Sequence, residues 1–274
     1  MQRLFDFYIN SSIHVALAVV AFTQITYVYF NIVTDFNILI FVGFATISGY
    51  NFVKYFGLAK FHHRSLANWL KIIQVFSLIC TVAMVYFALQ LELRTLIYLS
   101  CFGVITFLYA IPLVPKHYVF DENKNLRQIG GLKIYVIALV WASITVGLPV
   151  YNAELDFNWD VVITCIQRFL LVVVLTLPFE IRDLKYDSLK LSTIPQTIGI
   201  KNTKGIGALV LILIFNLEFL KDELVSNTVL THLIMILLIL ILLMGSRKNQ
   251  AKYYSSFIVE SVPIVWLVLL ILFY

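Results

Sequence analysis

Residues 160–199 read DVVITCIQRFLLVVVLTLPFEIRDLKYDSLKLSTIPQTIG. The stretch up to about residue 182 is apolar for long enough, at about 1.5 Å per helical residue, to cross a hydrocarbon layer about 30 Å thick. It then turns abruptly charged. The rest of the chain repeats this pattern. Of 274 residues, 61% are hydrophobic and 13% charged, against about 45–50% and about 25% in soluble domains. The mean hydropathy is +0.92. One core could not hide so much apolar surface, so the bilayer is the expected solvent and soluble-enzyme folds are excluded.

Outward from span 160–182, apolar runs bounded by polar or turn residues mark eight more spans, at about 11–31, 35–56, 69–90, 95–115, 132–151, 205–221, 225–245 and 254–274. Only helices and closed barrels satisfy their backbone in lipid, and these runs lack the alternation of barrel strands. The expected fold is all-α: a polytopic membrane protein with nine transmembrane helices around a central cavity, residues 1–274 forming one domain. The opening MQRLFDFYINSS carries Arg3 and Asp6 and precedes a full-length run without a small-residue cleavage site, so it reads as the approach to a retained span.

A net charge of +5 could suggest nucleic acid, but the basic residues are scattered over short loops and form no single face. No nucleic-acid partner is expected. Of the 20 basic residues, 17 fall on the N-terminal side, from Arg3 through Lys54, Lys116, Lys133 and Arg182 to Lys252. Arg94 and Lys221 lie on the other side and Arg168 within a span. The positive-inside rule then puts the N-terminus in the cytoplasm and the C-terminus outside, the expected setting being a bacterial inner membrane. Cys80, Cys101 and Cys165 all sit inside apolar runs without metal-ligand spacing and read as buried thiols.

Polar residues cluster in three loops on the basic side, about 57–68, 116–131 and 183–204. In the last, Glu180, Asp183 and Asp187 recur at i, i+3 and i+7 and form one acidic stripe on a helix. Arg182 and Lys185 fall off it. The stripe suits a hard cation such as Mg²⁺, which is usually held by one or two carboxylates plus phosphate oxygens and water. By spacing alone it equally suits a solvated helix end.

The motif IRDLKYD followed by TIPQTIG resembles the second signature of the UbiA family of intramembrane prenyltransferases, RDxxxD followed by a basic stretch and TLPxxxG. Nine spans, and the position of this stretch after the sixth, fit the same family. LYAIPLVPK at residues 108–116, with Tyr109 and Lys116, is similar to the family's Tyr-x-x-Pro and following Lys after the fourth span. The likeness runs through essentially the whole chain, with residues 180–199 its specific part. The first family signature, NDxxDxxxD after span two, corresponds to YNFVKYFGLAKFHHR at residues 50–64. Asn51 is kept, and the acid positions hold Phe52, Tyr55 and Ala59.

The resemblance implies a transferase that binds an isoprenoid diphosphate through Mg²⁺, breaks its C–O bond and delivers the allylic cation to a lipophilic, typically aromatic, acceptor. With one acidic motif missing, at most one Mg²⁺ is expected, on Glu180, Asp183 and Asp187, the two aspartates being the catalytic pair. Asn51, Lys54, Tyr109 and Lys116 are the expected substrate-binding residues, Lys54 standing in for the missing ion. The alternative is a degenerate member of the fold that binds an isoprenoid or quinone-like lipid or works with a partner. Two intramembrane charges call for partners or a cavity: Arg168, which could also snorkel, and Glu260, a candidate for lining the central cavity. Trp141 and Phe169 could flank an isoprenoid. His14 and His232 read as satisfied core histidines, and His62 and His63 as interfacial side chains.

Overall fold

The apolar runs fold into helices in the computed structural model of the chain, which describes residues 2–61, 68–110, 131–186 and 192–273. Helices α1 (Gln2–Asn10) and α2 (Ile13–Tyr29) bend by 55° at Ser11 and Ser12. Next come α3 (Phe36–Phe61), α4 (Asn68–Ala88) and α5 (Leu93–Ala110). Helix α6 (Leu132–Ala142) runs through a π-helical stretch, Ser143–Gly147, into α7 (Leu148–Asn152). After α8 (Trp159–Asp183), α9 (Ile194–Glu218) and α10 (Ser226–Gly245), a second π stretch, Tyr254–Val259, leads into α11 (Val262–Phe273). No strand occurs among the described residues. Seven segments are long and apolar enough to cross a membrane, and the bent α1–α2 pair makes an eighth. Leu93–Tyr109 is a shorter apolar helix.

Local chemistry sets the helix starts. Asn158 Oδ1 accepts from Val161 N at 3.0 Å, and Asp160 sits in the first turn of α8, satisfying an orphan donor and complementing the helix dipole. Asp35 Oδ1 does the same for Asn37 N and Ile38 N at 2.9 and 3.2 Å. Helix α9 corrects the expected loop over 183–204, because residues 194–204 are helical. Thr193 N donates to Gln196 Oε1 at 3.1 Å and Pro195 lies in the first turn, so the polar residues that resembled a loop ride on a capped helix. The helix is interrupted at Gly199, whose φ of 79° and ψ of 160° favour glycine.

Helix α2 packs against α3, the 143–147 stretch and α11, so the first and last long helices meet. Helix α8 touches α6, α9 and α10. The main apolar core joins Phe22, Leu171, Leu175, Leu211, Met235 and Trp266. A second core joins Val19, Ile38, Phe41 and Leu148. Gly207 lets α9 approach closely: a Cβ there would lie 2.5 Å from Leu243 Cδ2 and 3.0 Å from Leu177 Cδ1. The outward faces are as apolar as the cores. Ile72, Val75, Leu78, Ile79 and Val82 on α4, and Leu209, Ile212 and Leu213 on α9, are each at least 50% exposed. Such stripes far exceed what a water-soluble monomer displays, and against lipid tails they cost nothing. The chain is an integral membrane protein.

The expectation of three buried cysteines needs correcting. Cys80 is buried, Cys165 is half-buried and Cys101 is exposed. A thiol on the lipid side of a span is already in apolar surroundings and needs no protein cover. Contacts near the termini define the two ends of the bundle. Lys252 Nζ and Tyr253 OH reach Asp6 Oδ1 at 2.5 and 2.7 Å, whereas Asn227 Nδ2 donates to Phe273 O at 2.9 Å. The N-terminus and Lys252 therefore mark the basic end, and the C-terminal residues lie at the opposite one.

Candidate functional site

Three helix ends converge at the basic end. From α3, Lys54 Nζ donates to Ser12 Oγ at 2.8 Å. From α8 come Glu180, Arg182 and Asp183. From just after the π stretch that leads into α11 comes Glu260. Lys54, Arg182 and Glu260 lie within electrostatic range of one another, and the hydroxyls of Tyr8 and Tyr50 are near the same carboxylate. Tyr50 OH also accepts from Trp141 Nε1 at 2.9 Å and lies close to Tyr109. The polar ends of α3 and α8 thus lie near each other here.

The acids of the stripe are already accompanied. Glu180 is 3% exposed and its Oε1 stands 3.4 Å from Lys133 Nζ. Asp183, half-buried one turn later, accepts from Arg182 Nε at 2.7 Å. Asp187 and Lys116 lie outside the described residues, as do His62 and His63. Among the described residues, no three acidic, histidine or cysteine side chains are grouped so as to hold a metal ion. Tyr109 is buried at 6% exposure.

Asn51 is engaged entirely within the protein. Its Nδ2 donates to Ser11 O at 3.0 Å and to Ser77 Oγ at 2.8 Å, and its Oδ1 accepts from Ser12 Oγ at 2.8 Å. The amide clamps the break between α1 and α2, where Ser12 adopts a φ of 63°. Ser12 in turn holds Lys54. Asn51 therefore reaches the cluster through its neighbours. Arg182, set aside by spacing because it falls off the acidic stripe, is drawn in by groups on other helices that no local pattern reveals.

The opposite half of the bundle holds a second polar network. Arg168 is 3% exposed. Its Nη1 donates to Phe22 O at 3.1 Å and Thr145 Oγ1 at 3.4 Å, and its guanidinium stacks 3.9 Å above the Phe22 ring. Snorkelling is thus replaced by burial. The 143–147 π stretch supplies that hydroxyl and also the Thr145 carbonyl that accepts from Thr26 Oγ1 at 2.6 Å. Nearby, Glu218 Oε2 receives Lys221 Nζ, Gln167 Nε2 and His232 Nδ1 at 2.8, 2.9 and 3.0 Å. His14 is satisfied on both ring nitrogens, by Tyr8 OH at 2.7 Å and Phe257 O at 3.0 Å. His232 is satisfied on one only, its buried Nε2 having no partner among the described residues.

No family model matches the chain, and no curated protein matches it either. Among solved structures, the chain is similar to one of digeranylgeranylglyceryl phosphate synthase in membranes. Sequence identity is 16%, the match covers 99% of this chain and 98% of that one, and the TM-score is 0.58. At that identity the likeness speaks for the fold, a UbiA-like polytopic helical bundle.

Proposed function

We propose that the protein is a UbiA-like prenyltransferase that moves an isoprenoid group from its diphosphate to a lipophilic, aromatic acceptor within the membrane. The observation that carries this reading is the meeting of Lys54 and Arg182 beside Asp183 at the basic end of the bundle. Breaking the donor's C–O bond leaves negative charge on the departing diphosphate. Fixed cations in a site shielded from water stabilise that charge far better than water does. Lys54 is held from below by Ser12, which Asn51 fixes, so it is positioned before the donor arrives. Tyr109 would line the path of the acceptor. The fold likeness to a UbiA-superfamily prenyltransferase supports the same class of chemistry.

The Mg²⁺ that the resemblance implies finds a modest donor set. Glu180 is buried against Lys133 and Asp183 is half-buried in its ion pair with Arg182, so an ion would share Asp183 with that guanidinium, with Asp187 following it in sequence. One or two hard oxygens suit an ion that arrives with phosphate oxygens already attached. Asp183 and Asp187 would hold such an ion, with Glu180 behind them. Bound there, Mg²⁺ would neutralise charge on the leaving group. The stretch of the missing first motif carries Lys54, between the former acid positions, in its place.

A specific observation favours a second reading, a lipid-binding relic: Asn51 is spent on Ser11, Ser12 and Ser77. Binding of geranylgeranyl diphosphate to the purified protein separates the two. For a transferase, binding strengthens with Mg²⁺, and Lys54→Ala weakens it about 10–100-fold even at saturating Mg²⁺, the worth of a charge-assisted hydrogen bond at about 1.5–3 kcal/mol. Binding indifferent to both Mg²⁺ and Lys54 would establish the relic.

The orientation follows from the charges: the basic end faces the cytoplasm, in a bacterial cell across the inner membrane. A reporter fused after Tyr274 is expected outside the cytoplasm. A cytoplasmic signal would reverse the assignment or remove one span.

A further inference from the structure

The span made by the second π stretch and α11 is almost purely apolar, yet the residue that follows its π stretch is a glutamate. Within the stretch, Glu260 N donates to Ser255 O at 3.2 Å, five residues back, the bond that defines a π turn. The turn carries the Glu260 side chain inward, where it is half-buried. Among the described residues its carboxylate has no hydrogen bond or close ion pair. The charged and titratable groups that face it are Lys54 and Tyr50 from α3, Arg182 from α8 and Tyr8 from α1. From α2, His14 is committed to Tyr8, Phe257 and Ser261. A carboxylate at this depth normally faces a cavity or a partner, and the donor-binding role of Lys54 and Arg182 leaves it unexplained.

The transfer reaction produces a proton. The donor's C–O bond breaks and its electron pair leaves with the diphosphate. A pair from the acceptor, either on oxygen or on an aromatic carbon, forms the new bond to the prenyl carbon. The acceptor's hydrogen must then depart as H⁺. We propose that Glu260 accepts that proton, and that donor binding prepares it to do so. Without donor, Glu260 is the carboxylate that Lys54 and Arg182 jointly face. A diphosphate carries more charge and draws both cations to itself, leaving Glu260 beside the acceptor with its counter-charges withdrawn. One cluster thereby orders the sequence of events, with donor first and base second. The assignment rests on the prenyl-transfer reading above.

Glu260→Gln tests it with two readouts of opposite sign. Removing the carboxylate removes the competitor for Lys54 and Arg182, so geranylgeranyl diphosphate should bind about three- to tenfold tighter. Transfer to a hydroxybenzoate should meanwhile fall about 10²-fold or more, the contribution of a positioned base. In the unmodified protein the rate should rise with pH as the carboxylate ionises, and the Gln variant should lack that limb. Glu260→Asp, which keeps the carboxylate on a shorter stem, should recover part of the rate and restore the limb. A structural role for Glu260 predicts loss of binding and rate together, with an unchanged pH profile, and that result overturns the proposal. Unimpaired transfer by Glu260→Gln overturns it as well, while leaving the prenyl-transfer reading intact. Failure of the unmodified protein to transfer overturns both.

Discussion

Changing Asp183 and Asp187 together to Asn is expected to lower prenyl transfer by about 10²–10³-fold or more while leaving the protein folded and inserted. Single preorganised contacts to a developing charge are worth about that much, and a bound ion should be weakened at least as far when its carboxylates become amides. Folding should survive for a local reason. Asp183 lies at the last turn of α8, half-buried, and among the described residues it pairs with the adjacent Arg182. An Asn oxygen can still accept from that guanidinium. Turnover with geranylgeranyl diphosphate, measured alongside thermal unfolding in detergent, separates the two effects. Full Mg²⁺-dependent transfer by the double variant would remove the acidic stripe from the site.

The largest loss of stability is expected at the other end of the bundle, from Glu218→Ala. One carboxylate oxygen there receives an ammonium, a carboxamide and an imidazole from three directions, and the residue is 3% exposed. Deleting it strands the His232 imidazole on α10 in a buried, poorly hydrated place and leaves Gln167 on α8 with only its bond to Ile214 O. Removing one partner of a buried charge cluster costs about 3–5 kcal/mol. Lys221→Ala, which leaves the carboxylate its other two donors, should cost markedly less. Thermal unfolding of the two variants in the same detergent provides the comparison, and a loss below about 1 kcal/mol for Glu218→Ala would mean that the network contributes little.

Nothing in the sequence joins Glu218 to its partners. The donors come from 51, 14 and 3 residues away, and only the last separation is one that a helical pattern can reveal. The spans, by contrast, were legible, because lipid imposes a length and a composition on any segment that crosses it. Of the acidic stripe, Glu180 and Asp183 both fall in the last turn of α8, and Asp187 lies outside the described residues. The place of Arg182 was not legible. Its partners Lys54 and Glu260 belong to helices far away in the chain, and helical spacing described it only as off the stripe. The start of α9 is hidden for a different reason. Lys201, Asn202 and Lys204 suggest a loop by composition, while the signals that begin a helix there, Thr193, Pro195 and Gln196, also belong to the TIPQTIG motif.

The π stretch at Tyr254–Val259 has a consequence for kinship. A π turn is a one-residue insertion that makes no loop and leaves the ends of the helix where they were. At about 100° of rotation per residue, it re-aims every side chain that follows. A relative with a plain α-helix here would superimpose almost perfectly, yet its residue in the column of Glu260 would point elsewhere, and its functional equivalent would stand one column away. Descent in this helix is therefore better traced by the direction in which side chains point than by the letters that line up.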